Sequence, residues 1–291
     1  MFTITTTTDY AAFYECVRAY LMEDEVAHNL PLGFLQSWVT TGIAPEQLYM
    51  ACAEQRGSVV GVVMRVGGFR AIVTQARSLE AVSALAEQMH IDQPDTPGAM
   101  GAQQEARAFV ERWTRLSGGS FKLNRAERIY RLEKVNPVIG VNGKSRTATM
   151  GDLELLAEWL RAFEMEADPS AVAQPIDAFR PGMLMRLKSD PRVRGMWVWE
   201  NDGVVVSMVG YAGPTPNGIR VGPVYTPPDL RGHGYASALT AAVTQYLLDQ
   251  GRKFVSLFTD LSNPTSNKIY QKIGYQPVTD VDEYLFTRDS S

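Results

Sequence analysis

Two stretches of the chain, separated by almost half its length, match one another, and this constrains the fold more than any other feature. DYAAFYECVRAYLMEDE from Asp9 lies over DLELLAEWLRAFEMEAD from Asp152, with Asp, Glu, Arg, Ala, Met and Glu repeated in register at Asp9/Asp152, Glu15/Glu158, Arg18/Arg161, Ala19/Ala162, Met22/Met165 and Glu23/Glu166. Each copy opens on an Asp suited to cap a helix and then spaces its apolar residues at a helical period. Further on, YMACAEQRGSVVGVVMRVGG from Tyr49 lies over MWVWENDGVVVSMVGYAG from Met196, with Glu54 over Glu200 and Gly57 over Gly203. An apolar run, a polar turn ending in Gly and a second Val-rich run predict a β-hairpin each time. Helix then hairpin, twice in the same order, predicts two duplicated domains of about 140 residues.

The seam falls where Pro, Asn and Gly cluster, VNPVIGVNGKSR, Val135 to Arg146, so the expected division is 1–137 and 138–291. Each domain is expected to be mixed α+β, a mostly antiparallel twisted sheet flanked by helices. The copies diverge after their hairpins. In the first come a helix SLEAVSALAEQM, a Pro-rich passage DQPDTPGAMG, a helix QQEARAFVERWTRL and a strand ending in ERIYRLEKV. In the second come a strand IRVGPVYT, a loop PPDLRGHG, a helix YASALTAAVTQYLLDQG, a strand KFVSLFTDL, a short helix NPTSNKIYQKIG and a strand pair in YQPVTDVDEYLFTR.

The loop is the part made for chemistry. A strand ending at Thr226 and a helix starting near Gly234 leave several backbone N–H groups unpaired at a helix N-terminus, where the peptide dipoles also favour an anion. Gly232 and Gly234 let the backbone approach a phosphate closely, and Arg231 adds fixed positive charge. The pattern lacks the GxxxxGK[ST] of a P-loop and the third glycine of a dinucleotide fingerprint.

VYTPPDLRGHGYASAL resembles motif A of the GNAT superfamily of acyl-CoA N-acyltransferases, with Arg231-x-x-Gly234-x-Ala236 on that family's [RQ]xxGx[GA] pattern. NPTSNKIYQKIGYQPV resembles the motif B that follows, with Asn263 and Tyr270 at the family's spacing. The first copy then looks like a degenerate GNAT domain without the coenzyme loop, and the whole chain resembles a tandem GNAT. The resemblance implies acetyl-CoA as co-substrate, with splayed strands in the second domain. Val224, Tyr225 and Thr226 would pair with the pantetheine arm, the Val224 N–H polarising the thioester carbonyl. Arg231, Gly232, His233, Gly234, Tyr235, Ala236 and Ser237 would wrap the pyrophosphate, and Asn263 would bond the pantetheine from the far side. Tyr270, seven residues after Asn263, would serve as catalytic acid toward the departing thiolate.

The implied reaction is acetylation of a primary amine, on a small molecule or a peptide, by direct transfer. Its alternative is a non-catalytic acyl-CoA sensor or scaffold. The acyl-enzyme route is disfavoured because both cysteines, Cys16 and Cys52, lie in the half lacking the loop. Both read as buried small hydrophobes of a reducing compartment. For the base, Glu164, Glu166, Asp168, Asp177, Glu200 and Glu283 are all candidates; Glu166 has a counterpart in Glu23, which favours a structural role for that pair. His233, between glycines, is expected to contribute its backbone and turn its ring to solvent, and Trp197 and Trp199 share one face of a strand.

The remaining composition sets limits. A formal charge of -4 without a basic stripe argues against nucleic acid. Three scattered histidines and no CxxC predict no metal. No apolar run reaches the length of a membrane span and the N-terminus lacks a basic leader, so a cytoplasmic protein is expected. Monomer and homodimer are both compatible with the sequence.

Overall fold

The computed structural model describes residues 2–167 and 174–287. In chain order its first elements are β1 (Thr3–Thr7), α1 (Tyr10–Leu21), α2 (Asn29–Thr41), β2 (Leu48–Gln55), β3 (Ser58–Val66), β4 (Ala71–Val73), α3 (Leu79–Asp92), β5 (Gly98–Ala102), α4 (Gln103–Ser117) and β6 (Ser120–Leu132). There follow β7 (Lys144–Thr147), α5 (Leu153–Ala167), α6 (Arg180–Lys188), β8 (Arg194–Asn201), β9 (Val204–Ala212), β10 (Gly218–Tyr225), α7 (Tyr235–Asp249), β11 (Phe254–Asp260), α8 (Pro264–Ile273) and β12 (Gln276–Thr287). Among the described residues no helix is long and apolar enough to cross a membrane.

The chain forms two compact units that interleave along the sequence: Met1–Tyr130 with Phe258–Pro264 and Pro277–Ser291, and Arg131–Leu257 with Thr265–Gln276. A single cut at 137/138 does not follow this compactness, because the last strand of the chain is built into the first unit. There β12 pairs antiparallel with β5, Val281 opposite Ala102 through Leu285 opposite Gly98.

In the first unit the strands run β1-β2-β3-β4-β5-β12. Side chains alternate across the pleat. Tyr49, Ala51 and Ala53 of β2 therefore enter a core with α3 and α4, including Leu85, Phe109 and Trp113. Met50 and Cys52 enter a second core with α1 and α2, including Val17, Leu32 and Leu35. Asp9 caps α1 as expected, Oδ1 accepting from the Ala11 and Ala12 N–H groups at 3.0 Å. Cys52 is buried, but Cys16 is exposed; the buried stripe of α1 runs through Phe13, Tyr14, Val17, Tyr20 and Leu21, and position 16 falls off it. Two expectations need amendment here. The passage DQPDTPGAMG contains β5, whose Gly98 and Gly101 disguise a strand, and YQPVTDVDEYLFTR is one strand, since no Gly or Asn turn interrupts it.

In the second unit the order is β11-β10-β9-β8-β7, with β10 and β11 parallel and the rest antiparallel. Leu156, Ala157 and Trp159 of α5 pack with Met183 of α6 on Met196, Val198, Met208 and Tyr225. Asp152 does not cap its helix. It is the third residue of a capping box opened by Thr149, whose N–H it accepts at 2.7 Å. Arg146 grips the same carboxylate at 2.8 and 2.9 Å, which holds Asp152 down at about 2. Trp197 and Trp199 do share a face: Trp197 packs on Tyr246 of α7, ring centroids 4.9 Å apart, and Trp199 Nε1 donates to the Asn142 carbonyl at 2.9 Å.

Candidate acyl-coenzyme site

The second unit opens its sheet where β10 changes partner geometry. Parallel pairing with β11 runs from Gly218 opposite Phe254 to Val221 opposite Leu257 and ends there. On the other edge the register with β9 shifts between Val221 and Val224, so Gly222 and Pro223 form a bulge and Val224 and Tyr225 continue beyond the last parallel pair. In the first unit the corresponding pair stays closed. All three residues of β4 pair with β5, and a Cβ on Gly101 would lie 2.3 Å from the Val73 carbonyl oxygen.

Beyond Tyr225 the chain is held from its own unit. Ser207 Oγ donates to the Tyr225 carbonyl at 3.1 Å, Thr226 Oγ1 donates to Ser207 Oγ at 2.9 Å, and Arg231 Nε donates to the Thr226 carbonyl at 2.8 Å. The turn then enters α7 through Gly232 (φ 86°) and Gly234 (φ 82°), a backbone region that only glycine occupies without strain. No side chain caps α7, and its first turn carries no acid. The N–H groups of Tyr235, Ala236 and Ser237 therefore have no partner within the helix. A Cβ on Gly232 would meet nothing within 4 Å, whereas one on Gly234 would sit 3.0 Å from Val141 Cγ2. This uncapped, glycine-lined terminus fits a pyrophosphate.

Arg231 is not idle in this arrangement. Its Nη2 meets the Glu166 carboxylate of α5 at 2.7 and 2.9 Å, and its guanidinium lies 5.8 Å from the Tyr225 ring centre. Tyr225 also donates to Glu166 at 3.3 Å. Nothing in the sequence pairs Glu166 with Arg231 beyond the Glu23/Glu166 repeat that marked it as structural. About half of each side chain in the Arg231–Glu166 pair is exposed, so it contributes on the order of 1 kcal/mol or less. Exchange of Glu166 for a phosphate at Arg231 costs little. His233 lies on the surface with its ring stacked on Tyr235.

Tyr270 sits on α8, buried, 6.0 Å from the ring of Tyr275, which in turn hydrogen-bonds Thr244 of α7 at 2.7 Å. Tyr270 is thus tied through Tyr275 to the helix that begins at the glycine loop. Burial pushes its phenol up to about 12. Val224, Tyr225, Thr226, Tyr270 and the stretch Arg231 to Ser237 fall in one compact unit; Asn263 falls in the other, its N–H donating to the Asp260 carbonyl at 3.1 Å.

Of the candidate bases, Glu166 holds Arg231, and Glu200 accepts from Arg146 at 2.8 Å. Asp177 pairs with Arg180. Glu283 is buried in the first unit beside Asn124 at 2.5 Å and the Arg70 and Arg125 guanidinia, each at 3.4 Å. Glu164 is exposed, and Asp168 lies outside the described residues. The linker supplied a contact that sequence reasoning missed: Val141, the apolar residue in its Asn/Gly-rich run, packs against the loop at Gly234.

Residues 153–275 match the Acetyltransferase (GNAT) family. Solved structures similar over the whole chain include an acetyltransferase of the GNAT family from Colwellia psychrerythraea, 13% identical, TM-score 0.60, covering 99% of this chain and 100% of that one. A tandem GNAT protein from the clavulanic acid biosynthesis pathway is 16% identical, TM-score 0.60, covering 99% and 98%. A GCN5-related N-acetyltransferase from Sphaerobacter thermophilus is 16% identical, TM-score 0.63, covering 100% and 97%. Among curated proteins none matches in sequence. At these identities the structural likenesses speak to fold alone: the chain has a GNAT fold along its length, and residues 153–275 match the model of the Acetyltransferase (GNAT) family.

Proposed function

We propose that the protein is an N-acyltransferase that moves an acetyl group from acetyl-CoA to a primary amine by direct transfer. The observation that carries this reading is the uncapped N-terminus of α7, lined by Gly232 and Gly234 and placed directly after the bulged end of β10. When bound, acetyl-CoA supplies the thioester whose carbonyl carbon the neutral amine attacks, its C–S bond breaking as the C–N bond forms and the nitrogen's surplus proton passing to solvent water.

The chain's own residues do the rest. The N–H groups from Tyr235 to Ser237, with those of Gly232 to Gly234, hold the phosphates, and Arg231 turns from Glu166 toward them. Val224, just past the bulge, offers its N–H to the thioester oxygen, a fixed dipole aimed at charge that develops during transfer. Tyr270 acts on the departing sulfur. A thiol of about 8.5 is a stronger acid than a phenol at about 12. Tyr270 therefore stays protonated and stabilises the sulfur chiefly by donating a hydrogen bond, with full protonation completed from solvent. In the first unit β4 is zipped to β5 along its length and the glycine loop is missing, so that unit binds no coenzyme.

The test is thiol release from acetyl-CoA across a panel of amines, including small diamines, amino acids, aminoglycosides and peptides with free N-termini or lysines. Amine-dependent release establishes the transferase. Tight coenzyme binding with no release on any amine would instead establish a sensor or scaffold.

A further inference from the structure

We infer that Cys16, Cys52 and Glu54 form a binding site in the first unit for a thiophilic divalent cation of the zinc class. The three ligand atoms all lie within 4.8 Å of one another, with Cys16 Sγ 3.8 Å from Glu54 Oε1. A tetrahedral zinc ion, with bonds of about 2.3 Å to sulfur and about 2.1 Å to oxygen, separates a sulfur from an oxygen by about 3.6 Å and two sulfurs by about 3.8 Å. The side chains need only small rotations to close on such an ion. Three protein ligands leave its fourth position to water.

The duplication shows why a cation belongs there. Glu54 and Glu200 occupy the same place in the two hairpins, each just after a register shift, at Ala53/Glu54 and at Trp199/Glu200. In the second unit the neighbouring strand supplies the positive charge: Lys144 stands opposite Glu200, Arg146 opposite Val198, and Arg146 reaches Glu200 at 2.8 Å. In the first unit the neighbouring strand carries Thr3 opposite Glu54 and Thr5 opposite Cys52. Both cations are gone, and among the described residues no Lys, Arg or His pairs with Glu54. Where the second copy has the apolar Val198 and Trp159, the first has Cys52 and Cys16. One copy neutralises its glutamate internally; the other surrounds it with two soft ligands.

The site is also well supported. Cys52 and Glu54, two apart on β2, face the same side of the sheet, and Cys52 is fixed in the core beneath α1. Cys16 is exposed above it, which gives an ion a path of entry. Each thiol that binds gives up its proton, so affinity rises with pH.

The test is a titration of the full-length chain, stripped with a chelator and reduced with a phosphine, with Co2+. One equivalent is expected to produce a thiolate-to-cobalt charge-transfer band and the strong visible bands of four-coordinate cobalt, both abolished by Zn2+. Cys16→Ser, at the surface, is expected to weaken binding about tenfold or more and to reduce the charge-transfer intensity. Glu54→Gln is expected to keep the thiolate band and shift the visible ones. Absence of a charge-transfer band in the reduced wild type overturns the proposal, as does a band that Cys16→Ser leaves unchanged. A chain silent toward cobalt that loses both thiols to a disulfide under mild peroxide also overturns it, and marks the pair as a redox couple.

Discussion

At the scale of single residues, the proposed chemistry draws on a buried phenol and stability on a buried carboxylate. Tyr270 was singled out by its spacing to Asn263, but its burial was not legible in the sequence, and in the proposed reaction that burial makes it a hydrogen-bond donor rather than a proton donor. Tyr270→Phe is expected to lower kcat about 10- to 100-fold while leaving acetyl-CoA affinity within about twofold, as for other hydrogen bonds to developing charge; steady-state kinetics beside calorimetry checks this. Asp152 shows the opposite. The repeat marked it as a cap, yet its carboxylate is the centre of a network with Thr149 and Arg146. Its folded value of about 2 lies below the ordinary 3.8. Its stabilisation is therefore complete above about pH 4 and is lost as pH falls toward 2. The contribution is about 2 kcal/mol. Asp152→Asn is expected to remove about that much at pH 7 and much less near pH 2, read by urea melts at both.

At the scale of elements, the sequence named what local pattern controls. The two hairpins, α1, α5, α7 and α8 were legible because periodicity and turn residues write them directly. The turn after β10 was legible because Gly232 and Gly234 supply the left-handed backbone that enters α7. β5 was not, since GAMGA has strand geometry only because its partners on both sides demand close approach. Gly101→Ala would place a methyl against the Val73 carbonyl and is expected to cost about 1–3 kcal/mol, measured by denaturant unfolding. At Gly234, φ is 82° and Val141 is close. Gly234→Ala is expected to cost about 1 kcal/mol and to weaken acetyl-CoA binding several-fold, because the turn that aims the α7 N–H groups must shift.

At the scale of the whole molecule, duplication was legible but the partition of the chain was not. Repeats report ancestry of segments, and which strand completes which sheet is decided by pairing between residues far apart in sequence. The first unit takes β12, and with it Glu283, buried among Arg70, Arg125 and Asn124. A fragment of residues 1–137 leaves β5 as an open edge and strands those arginines without their carboxylate. It is expected to be unfolded or aggregated by circular dichroism and light scattering, where a self-sufficient domain would melt cooperatively. The proposed function requires one coenzyme site, at the head of α7. Calorimetry of the full-length chain with acetyl-CoA tests it most directly, beside a folded Arg231→Glu/Gly234→Asp variant. One equivalent per chain, lost in the variant, is the predicted result. No binding, two equivalents, or binding that the variant retains would contradict it.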